Sequence, residues 1–324
     1  MTKYIIRRII WSIPVLLALL LAVFLLMRAI PGGPFDFAGE KSLPAATRRN
    51  LERKYGLDKP LTTQFINYLG SIVLHGDLGP TFRQPGRTVN DIVGESFPIS
   101  AQLGLMAIGL ALIIGIPAGI IAALNHNTWA DYLASFLAIL GVSIPALVLG
   151  PILVWLFSLK LHWLPVALWG AKPPFILGFI AIPTKTFLEH AALPVIALGT
   201  SLAASIARLT RASLLQVVRE DYIRTARAKG LRDRVVIIRH ALKNGLIPVV
   251  TVLGPMFAGV VTGTVVIEAI FALPGMGKYF VQSIGNRDYP LIMGVTLIYA
   301  VLLVFSNLLV DITYAWLDPR IRYS

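Results

Sequence analysis

Long uncharged apolar runs alternate with short polar segments along the chain. A helix needs ~20 residues to cross a ~30 Å hydrocarbon core, and six of the runs reach or approach that length. The predicted spans are residues 9–27, 98–124, 133–159, 191–207, 244–267 and 289–310. The fourth continues helically past Arg208 and Arg211, whose long side chains can reach the interface. The pattern predicts an all-α integral membrane protein with six transmembrane helices.

The first apolar run could instead be a secretory signal. Its 19 uncharged residues exceed the ~7 to 15 of a signal h-region, and no A-x-A-like cleavage site follows before the Pro31-Gly32-Gly33-Pro34 break. We therefore expect residues 1–30 to remain as an uncleaved helix. The eight apolar residues 175–182, between two prolines, are too short to cross and are expected to lie at the interface.

Residues 31–97 form the longest segment without a span. Prolines suited to a first helical turn begin two candidate helices in it, 44–55 and 60–74. The second has an apolar face at helical spacing, formed by Phe65, Tyr68, Leu69 and Ile72. We expect a small external subdomain between helices 1 and 2. The chain then divides into a first helix (1–30), this subdomain (31–97), a transmembrane core (98–317) and a tail (318–324).

Composition supports the membrane assignment and removes several other classes. The chain is 56% hydrophobic and 14% charged, with a mean hydropathy of +0.75. Its net charge of +13 lies in loops between apolar runs without interleaved aromatics, so we expect no nucleic-acid partner. Without cysteine the chain has no disulfide, thiolate zinc site or iron–sulfur ligation.

No motif for chemistry within the chain is found. The five histidines are scattered without H-E-x-x-H spacing, so no metal site is expected. No phosphate-binding G-x-x-x-x-G-K-[ST] loop occurs, and Gly277-Lys278 is followed by Tyr279. We expect no catalytic residue and no cofactor here; ATP, if it is used, is hydrolysed by another chain.

The basic residues predict an orientation. With the amino terminus inside, the short inner segments carry thirteen Lys and Arg against five in the two short outer loops. Trp155, Trp163 and Trp169 cluster near one proposed outer boundary, as an aromatic belt does. We expect a multi-pass protein with both termini and the central basic loop in the cytoplasm.

That basic loop, residues 219–248, is a polar island between two spans. Glu220 and Asp221 suit the start of a short helix, and Gly230 suits its left-handed end. A second helix over 232–244 would have one apolar face, formed by Val235, Ile238 and Leu242. Two short helices joined at a glycine predict a protruding elbow.

The loop resembles a known motif. Residues 226–230, Ala-Arg-Ala-Lys-Gly, with Ile247-Pro248 beyond them, resemble the EAA loop of permease subunits of bacterial ATP-binding-cassette (ABC) importers. Thr225 and Arg227 stand where the motif has glutamate and alanine, a departure common in the peptide branch. Further matches lie at residues 29–32, 75–79 (His-Gly-Asp-Leu-Gly), 221–230, 268–277 and 286–289. The chain is most similar to the B-type permease of oligopeptide importers.

The resemblance implies a type I ABC importer permease fold in the bacterial inner membrane. It also implies a homologous second permease, two ATPase subunits that bind ATP and Mg, an extracytoplasmic peptide-binding protein, and peptide substrates. Dipeptide, nickel or glutathione import stays an alternative, because those permeases look alike. From another class, a self-sufficient secondary transporter or channel is disfavoured by nearly charge-free spans without an internal repeat.

Candidate site residues follow from the loop and from one acid. The residues expected to couple the chain to an ATPase are Asp221, Tyr222, Ile223, Arg224, Thr225, Ala226, Arg227, Ala228, Lys229 and Gly230. Glu268 is either a pathway-lining acid or a carboxylate at the interface, since ionisable groups at membrane depth usually face protein or water. Asp311 is expected to pair locally or to meet solvent.

Overall fold

The computed structural model describes residues 2–35, 44–170, 176–177 and 180–317. As the sequence predicts, its main elements are long apolar helices. Within these ranges, five segments are long and apolar enough to cross a membrane. They are α1 (Thr2–Ala29), α4 (Val89–Leu124), α7 (Lys185–Val217), the pair α11 (Ile247–Val261) and α12 (Val265–Ile270), and α14 (Tyr289–Leu317). The remaining helices are α2 (Ala45–Lys54), α3 (Leu61–His75), α5 (Trp129–Ser143), α6 (Ala146–Leu153), α8 (Asp221–Ala228), α9 (Asp233–Val235), α10 (Leu242–Gly245) and α13 (Gly277–Asn286).

The third predicted span, residues 133–159, is broken. Helix α5 and the segment formed by α6 and a π-helical turn, Val154–Lys160, meet at a bend of 99°. Pro145 has no N–H to continue the helix, and Ile144 before it is extended at φ −86° and ψ 112°. The prediction of six spans is confirmed when the bent pair counts as one span.

Helix α4 begins at Val89, upstream of the predicted boundary at Pro98. Thr88 accepts from the Asp91 N–H, and the Asp91 carboxylate accepts from the Thr88 N–H, which forms a capping box. The cap starts the helix before the apolar run does. Residues 89–97 therefore belong to α4 and not to a loop.

Small residues allow α4 and α7 to pack closely. A Cβ at Gly115 would lie 2.6 Å from the Ala203 carbonyl oxygen, and one at Gly119 would lie 2.6 Å from that of Ala207. Neither position has room for a larger side chain, so the small-xxx-small pair in the sequence is a helix contact.

The predicted apolar face of α3 is confirmed in its main part. Phe65, Tyr68 and Leu69 pack against Phe24 of α1 and Met293 of α14. We call the end of the bundle that carries α2 and α3 the subdomain end. The opposite end carries residues 219–248 and is called the basic-loop end.

The aromatic-belt prediction is wrong for one tryptophan. Trp155 and Trp163 are exposed, but Trp169 is 2% exposed and its Nε1 donates to Gln102 Oε1 at 3.1 Å. Trp169 is therefore a core residue. The segment 175–182 is described only in part, with Ile176 and Ile180 paired through their backbones, and the tail 318–324 lies outside the described residues.

Candidate functional site

Helix α8 is the first half of the basic loop, and it forms where the charges predicted. Glu220 precedes it in an extended conformation, Asp221 lies in its first turn and Arg227 in its last. Gly230 follows with φ +76° and nothing within 4 Å of a Cβ built on it. The left-handed backbone, and not lack of room, is what favours glycine here.

Two of the predicted contact residues face inward. Ile223 is fully buried and Ala226 is 6% exposed, and both pack with Ala123 of α4 and Leu214 of α7. The part of these two residues in coupling to an ATPase stays a prediction. They join α8 to the ends of two spans.

The other residues of this stretch are exposed: Asp221, Tyr222, Arg224, Thr225, Arg227, Ala228, Lys229 and Gly230. Local contacts hold some of them, since Arg224 pairs with Asp221 at 3.3 Å and Arg227 with Asp233 at 3.1 Å. Asn244 Nδ2 donates to the Tyr222 hydroxyl at 2.8 Å. The exposed face thus combines cations with small residues, and its role in coupling stays a prediction.

The second half of the loop corrects the predicted register. It consists of α9, a π-helical turn over Val236–Ala241, and α10. The buried side chains are Val236 and Ala241, five residues apart, whereas Ile238 is exposed. A π-turn brings residues i and i+5 together, so the predicted face is wrong at Ile238, whereas Leu242 packs against the buried cluster as predicted.

An ion pair that the sequence did not indicate lies beside this loop. Asp131 of α5 is 1% exposed, and Arg211 of α7 donates to both of its oxygens, from Nε at 2.6 Å and from Nη2 at 2.7 Å. The Asn127 N–H, Ser135 Oγ and His126 Nδ1 complete the shell at 3.1 to 3.2 Å. Arg211 therefore joins α7 to the start of α5.

A second pair at this end joins the first and last helices. Arg8 of α1 binds Asp311 of α14. Asp311 was expected to pair locally or to meet solvent, and its partner instead comes from the other end of the chain.

Glu268, the candidate pathway acid, is 1% exposed. Its Oε1 accepts from Ser100 Oγ at 2.6 Å, its Oε2 accepts from the Gly277 N–H at 2.8 Å, and Ser100 Oγ accepts from the Met276 N–H at 2.8 Å. In this structure the carboxylate holds residues 271–277 against α4. A role in the substrate pathway stays a prediction.

At the subdomain end, the family-like motif 286–289 contacts the segment that follows another such motif, 75–79. Asp288, from 286–289, is buried and accepts from the Phe82 N–H at 3.2 Å, while Arg83 Nε donates to the Asn286 carbonyl at 2.7 Å. Burial raises the pKa of the Asp288 carboxyl, and its backbone hydrogen bonds offset this in part. Gly79, from 75–79, donates to Asp77 at 2.9 Å and closes the turn before this contact.

No group of three or more His, Asp or Glu side chains in the described part of the chain is placed to hold a metal ion. The candidate functional features described above are the exposed face of α8 and the hydrogen-bonded contacts of Asp131, Glu268 and Asp288.

Comparisons with known proteins agree with this arrangement. The chain matches "Binding-protein-dependent transport system inner membrane component" over residues 115–323 and the amino-terminal "Binding-prot-dependent transport system membrane comp, N-term" over residues 1–104. It is 45% identical over 323 residues to the oligopeptide transport system permease protein OppB of Escherichia coli (strain K12), covering 100% of both chains. It is also 45% identical to the dipeptide transport system permease protein DppB of Bacillus subtilis (strain 168), covering 99% of this chain and 98% of that one.

A solved structure shows the same fold. Inward-facing MetNI methionine ABC transporter matches 69% of this chain and 94% of its own, with a TM-score of 0.53 and 16% identity. The resemblance drawn from the motifs is confirmed by the family matches. With its spans and basic loop, the chain belongs to the family of inner membrane components of binding-protein-dependent transport systems.

Proposed function

We propose that this chain is the permease subunit of an ATP-driven importer of short peptides. Its relatives are named for oligopeptide and dipeptide transport, and it matches them over their whole length. The proposed partners are a second, homologous permease, two ATPase subunits with their ATP and Mg, and an extracytoplasmic peptide-binding protein. Both termini and the basic loop are proposed to face the cytoplasm, where thirteen of the short-loop cations would lie.

The observation that carries the coupling proposal is the two-sided character of α8. Its inner face, Ile223 and Ala226, is packed on the ends of α4 and α7. Its outer face carries Arg224, Arg227 and Lys229 in solvent. A displacement of the outer face by closing ATPase subunits would move the inner face and the two spans with it.

Charge reversal on the outer face tests this proposal. Arg227→Glu should lower the amount of ATPase that co-purifies with the permease, because an acidic partner rim would repel the new carboxylate. Lys185→Glu, an equal reversal at an exposed site of the subdomain end, is the matched control. Equal ATPase recovery with both variants would contradict docking at α8.

A change on the inner face separates docking from transmission. Ile223→Ser puts an unpartnered hydroxyl into a fully buried apolar position, so contact with α4 and α7 should weaken while the outer face stays intact. We expect ATP hydrolysis to continue in proteoliposomes while uptake of a labelled peptide falls. Loss of ATPase binding itself would show that Ile223 supports docking and not transmission.

The substrate is tested with the complete complex and its receptor. ATP-dependent uptake of labelled di- to pentapeptides, in preference to nickel or glutathione, supports the peptide assignment. Uptake by this chain alone, driven by an ion gradient without ATP, would establish the secondary-transporter alternative.

A further inference from the structure

A basic cavity of about 390 Å³ lies at the subdomain end, between the end of α1, helix α3 and the start of α14. Phe24 and Met293, both buried, contribute its apolar side. Tyr68 and Tyr289 line it further, and the turn at Asp77 closes one side. Its volume is that of an ordinary small-molecule site.

Arg28 places a half-buried positive charge in this cavity. Its guanidinium carbon lies 3.4 Å from the centre of the Phe24 ring, and its nitrogens donate to Gln64 Oε1 at 2.6 Å and to the Phe24 carbonyl at 3.2 Å. Within the described ranges no carboxylate lies within ion-pair distance of it. A cation withdrawn from water without a counter-charge is costly, so an anion in the cavity would be stabilised.

The Tyr68 hydroxyl adds a donor to the same cavity. Its oxygen is buried and has no hydrogen-bond partner among the residues described, although the ring packs well against α1 and α14. Burial, and secondarily Asp77, hold the pKa of this hydroxyl above its usual range. The group therefore keeps its proton and can donate it to an acceptor.

The other charged residues that line the cavity also favour an anionic ligand. Arg53, Lys54 and Lys59 join Arg28, whereas Asp77 is the one acid among the described lining residues. The Asp77 carboxylate already accepts from Gly79. Four cations against one occupied carboxylate favour an anionic ligand.

The surroundings indicate where the anion comes from. Phe24 and Met293 belong to two segments that are long and apolar enough to span a membrane, so the cavity lies at the end of the membrane-spanning bundle. Helix α3 also exposes Ile66 and Val73, at 66% and 78%, on its outer side, as a helix lying at the membrane surface does. A free anion would make no use of the apolar side, whereas a phosphatidylglycerol molecule would use both sides, with its phosphate at the cations and the start of its acyl chains at Phe24 and Met293.

We propose that this cavity binds the headgroup phosphate of an anionic membrane phospholipid, with Arg28 and Tyr68 as its ligands.

Native mass spectrometry tests the proposal on the protein purified with the subunits that accompany it. Phosphatidylglycerol and phosphatidylethanolamine are added at equal concentration, and the bound lipids are counted. The wild type should retain phosphatidylglycerol preferentially. Arg28→Gln should retain it at least about tenfold less, because one charge-assisted hydrogen bond contributes that much.

Two further variants make the result specific. Arg49→Gln removes an equal charge from an exposed site of α2 outside the cavity and should behave as the wild type. Tyr68→Phe keeps the packed ring and removes only the donor, so it should lower retention less than Arg28→Gln does. Tyr68→Phe also tests the proposal if Arg28→Gln is not recovered as a folded protein. Retention of phosphatidylglycerol by Tyr68→Phe at the wild-type level would then overturn the proposal.

Competition distinguishes the sources of the anion. Millimolar inorganic phosphate should leave the bound lipid in place, and so should an excess of peptide. Displacement by phosphate would make this a free-anion site, and displacement by peptide would make it a carboxylate site. Either result, or equal lipid loss from Arg28→Gln and Arg49→Gln, would overturn the proposal.

Discussion

Two buried carboxylates at opposite ends of the bundle are stabilised in different ways. Asp131, at the basic-loop end, is held by the bidentate guanidinium of Arg211. Glu268, towards the subdomain end, is held by the Ser100 hydroxyl and the Gly277 N–H, which are neutral donors. Both side chains are 1% exposed, so burial alone does not distinguish them.

The difference shows what each contact is suited to do. The Asp131 pair joins α5 to α7 through a full charge, and Leu214, three residues beyond Arg211, packs against α8. The Glu268 contacts join a loop to α4 through fixed hydrogen-bond directions. The Asp131 contact depends on charge and the Glu268 contacts depend on hydrogen-bond geometry. Substitutions that remove a charge should therefore affect the Asp131 contact more.

The largest effect is expected when the charge that holds Asp131 is removed. Arg211→Ala should lower the free energy of unfolding by about 3 kcal/mol, at the lower end for a broken buried ion pair because the arginine side chain is partly exposed. Thermal melting in detergent measures the change. Arg208→Ala, at an exposed position of the same helix, is the control. Equal melting temperatures would show that Asp131 is not held by charge.

Removal of the charge at Glu268 should have a smaller effect. The amide of Glu268→Gln can accept from the Gly277 N–H and donate to Ser100 Oγ, so we expect a loss of about 1 kcal/mol. Peptide uptake should stay close to that of the wild type. Ser100→Ala, which removes the acceptor for the Met276 N–H, should cost at least as much.

Uptake separates the two interpretations of Glu268. Glu268→Gln could abolish uptake without lowering the melting temperature, while Ser100→Ala leaves uptake nearly unchanged. The carboxylate would then meet the substrate, and the pathway prediction would be correct. If both variants impair uptake together, the position of the 271–277 loop is what matters.

The helices could be predicted from the sequence, whereas contacts between distant residues could not. Local chemistry predicted α8 from Glu220, Asp221 and Gly230, and apolar length predicted the spans. The partnership of Asp131 with Arg211 joins residues 80 positions apart, and no local rule indicates it. The π-turn at Val236–Ala241 changes the helical period itself, so a 3.6-residue analysis selected Ile238 for the buried face and missed Ala241.

Trp169 and Pro145 show two further limits. A tryptophan near a span boundary suits a membrane belt and a protein core equally, and only the position of Gln102 decides between them. A proline within an apolar run suits a kinked span and a broken one equally. The bend at Pro145 is a property of the packed helices that length and composition do not specify.

A smaller effect is expected from His126, which contacts Asp131 from the half-exposed side. His126→Ala should cost about 0.5 kcal/mol, because Arg211 still satisfies both carboxylate oxygens and an exposed pair contributes little. The melting temperatures of His126→Ala and Arg211→Ala show how the two losses of stability compare. A loss as large as that of Arg211→Ala would mean that the histidine, and not the arginine, orients Asp131.

The smallest effect at neutral pH is expected at Asp288, a third buried carboxylate, which lies outside the spans. Burial raises its pKa above the ordinary 3.8, so the unfolded chain loses this proton at lower pH than the folded chain does. As pH rises from 3.8 through the folded pKa, this group therefore lowers stability, and the loss becomes constant above that window. Asp288→Asn keeps an acceptor for the Phe82 N–H and has no proton to lose.

The difference between the wild-type and Asp288→Asn melting curves isolates this group from the other acids. It should favour the variant increasingly as pH rises from about 4 and then level off. A difference that does not change with pH would contradict the raised pKa. A difference that instead shifts towards the wild type as pH rises would mean that Asp288 is stabilised as an anion, as Asp131 is, by a charge such as that of Arg83. The contrast between charge and geometry would then separate Glu268 from both aspartates.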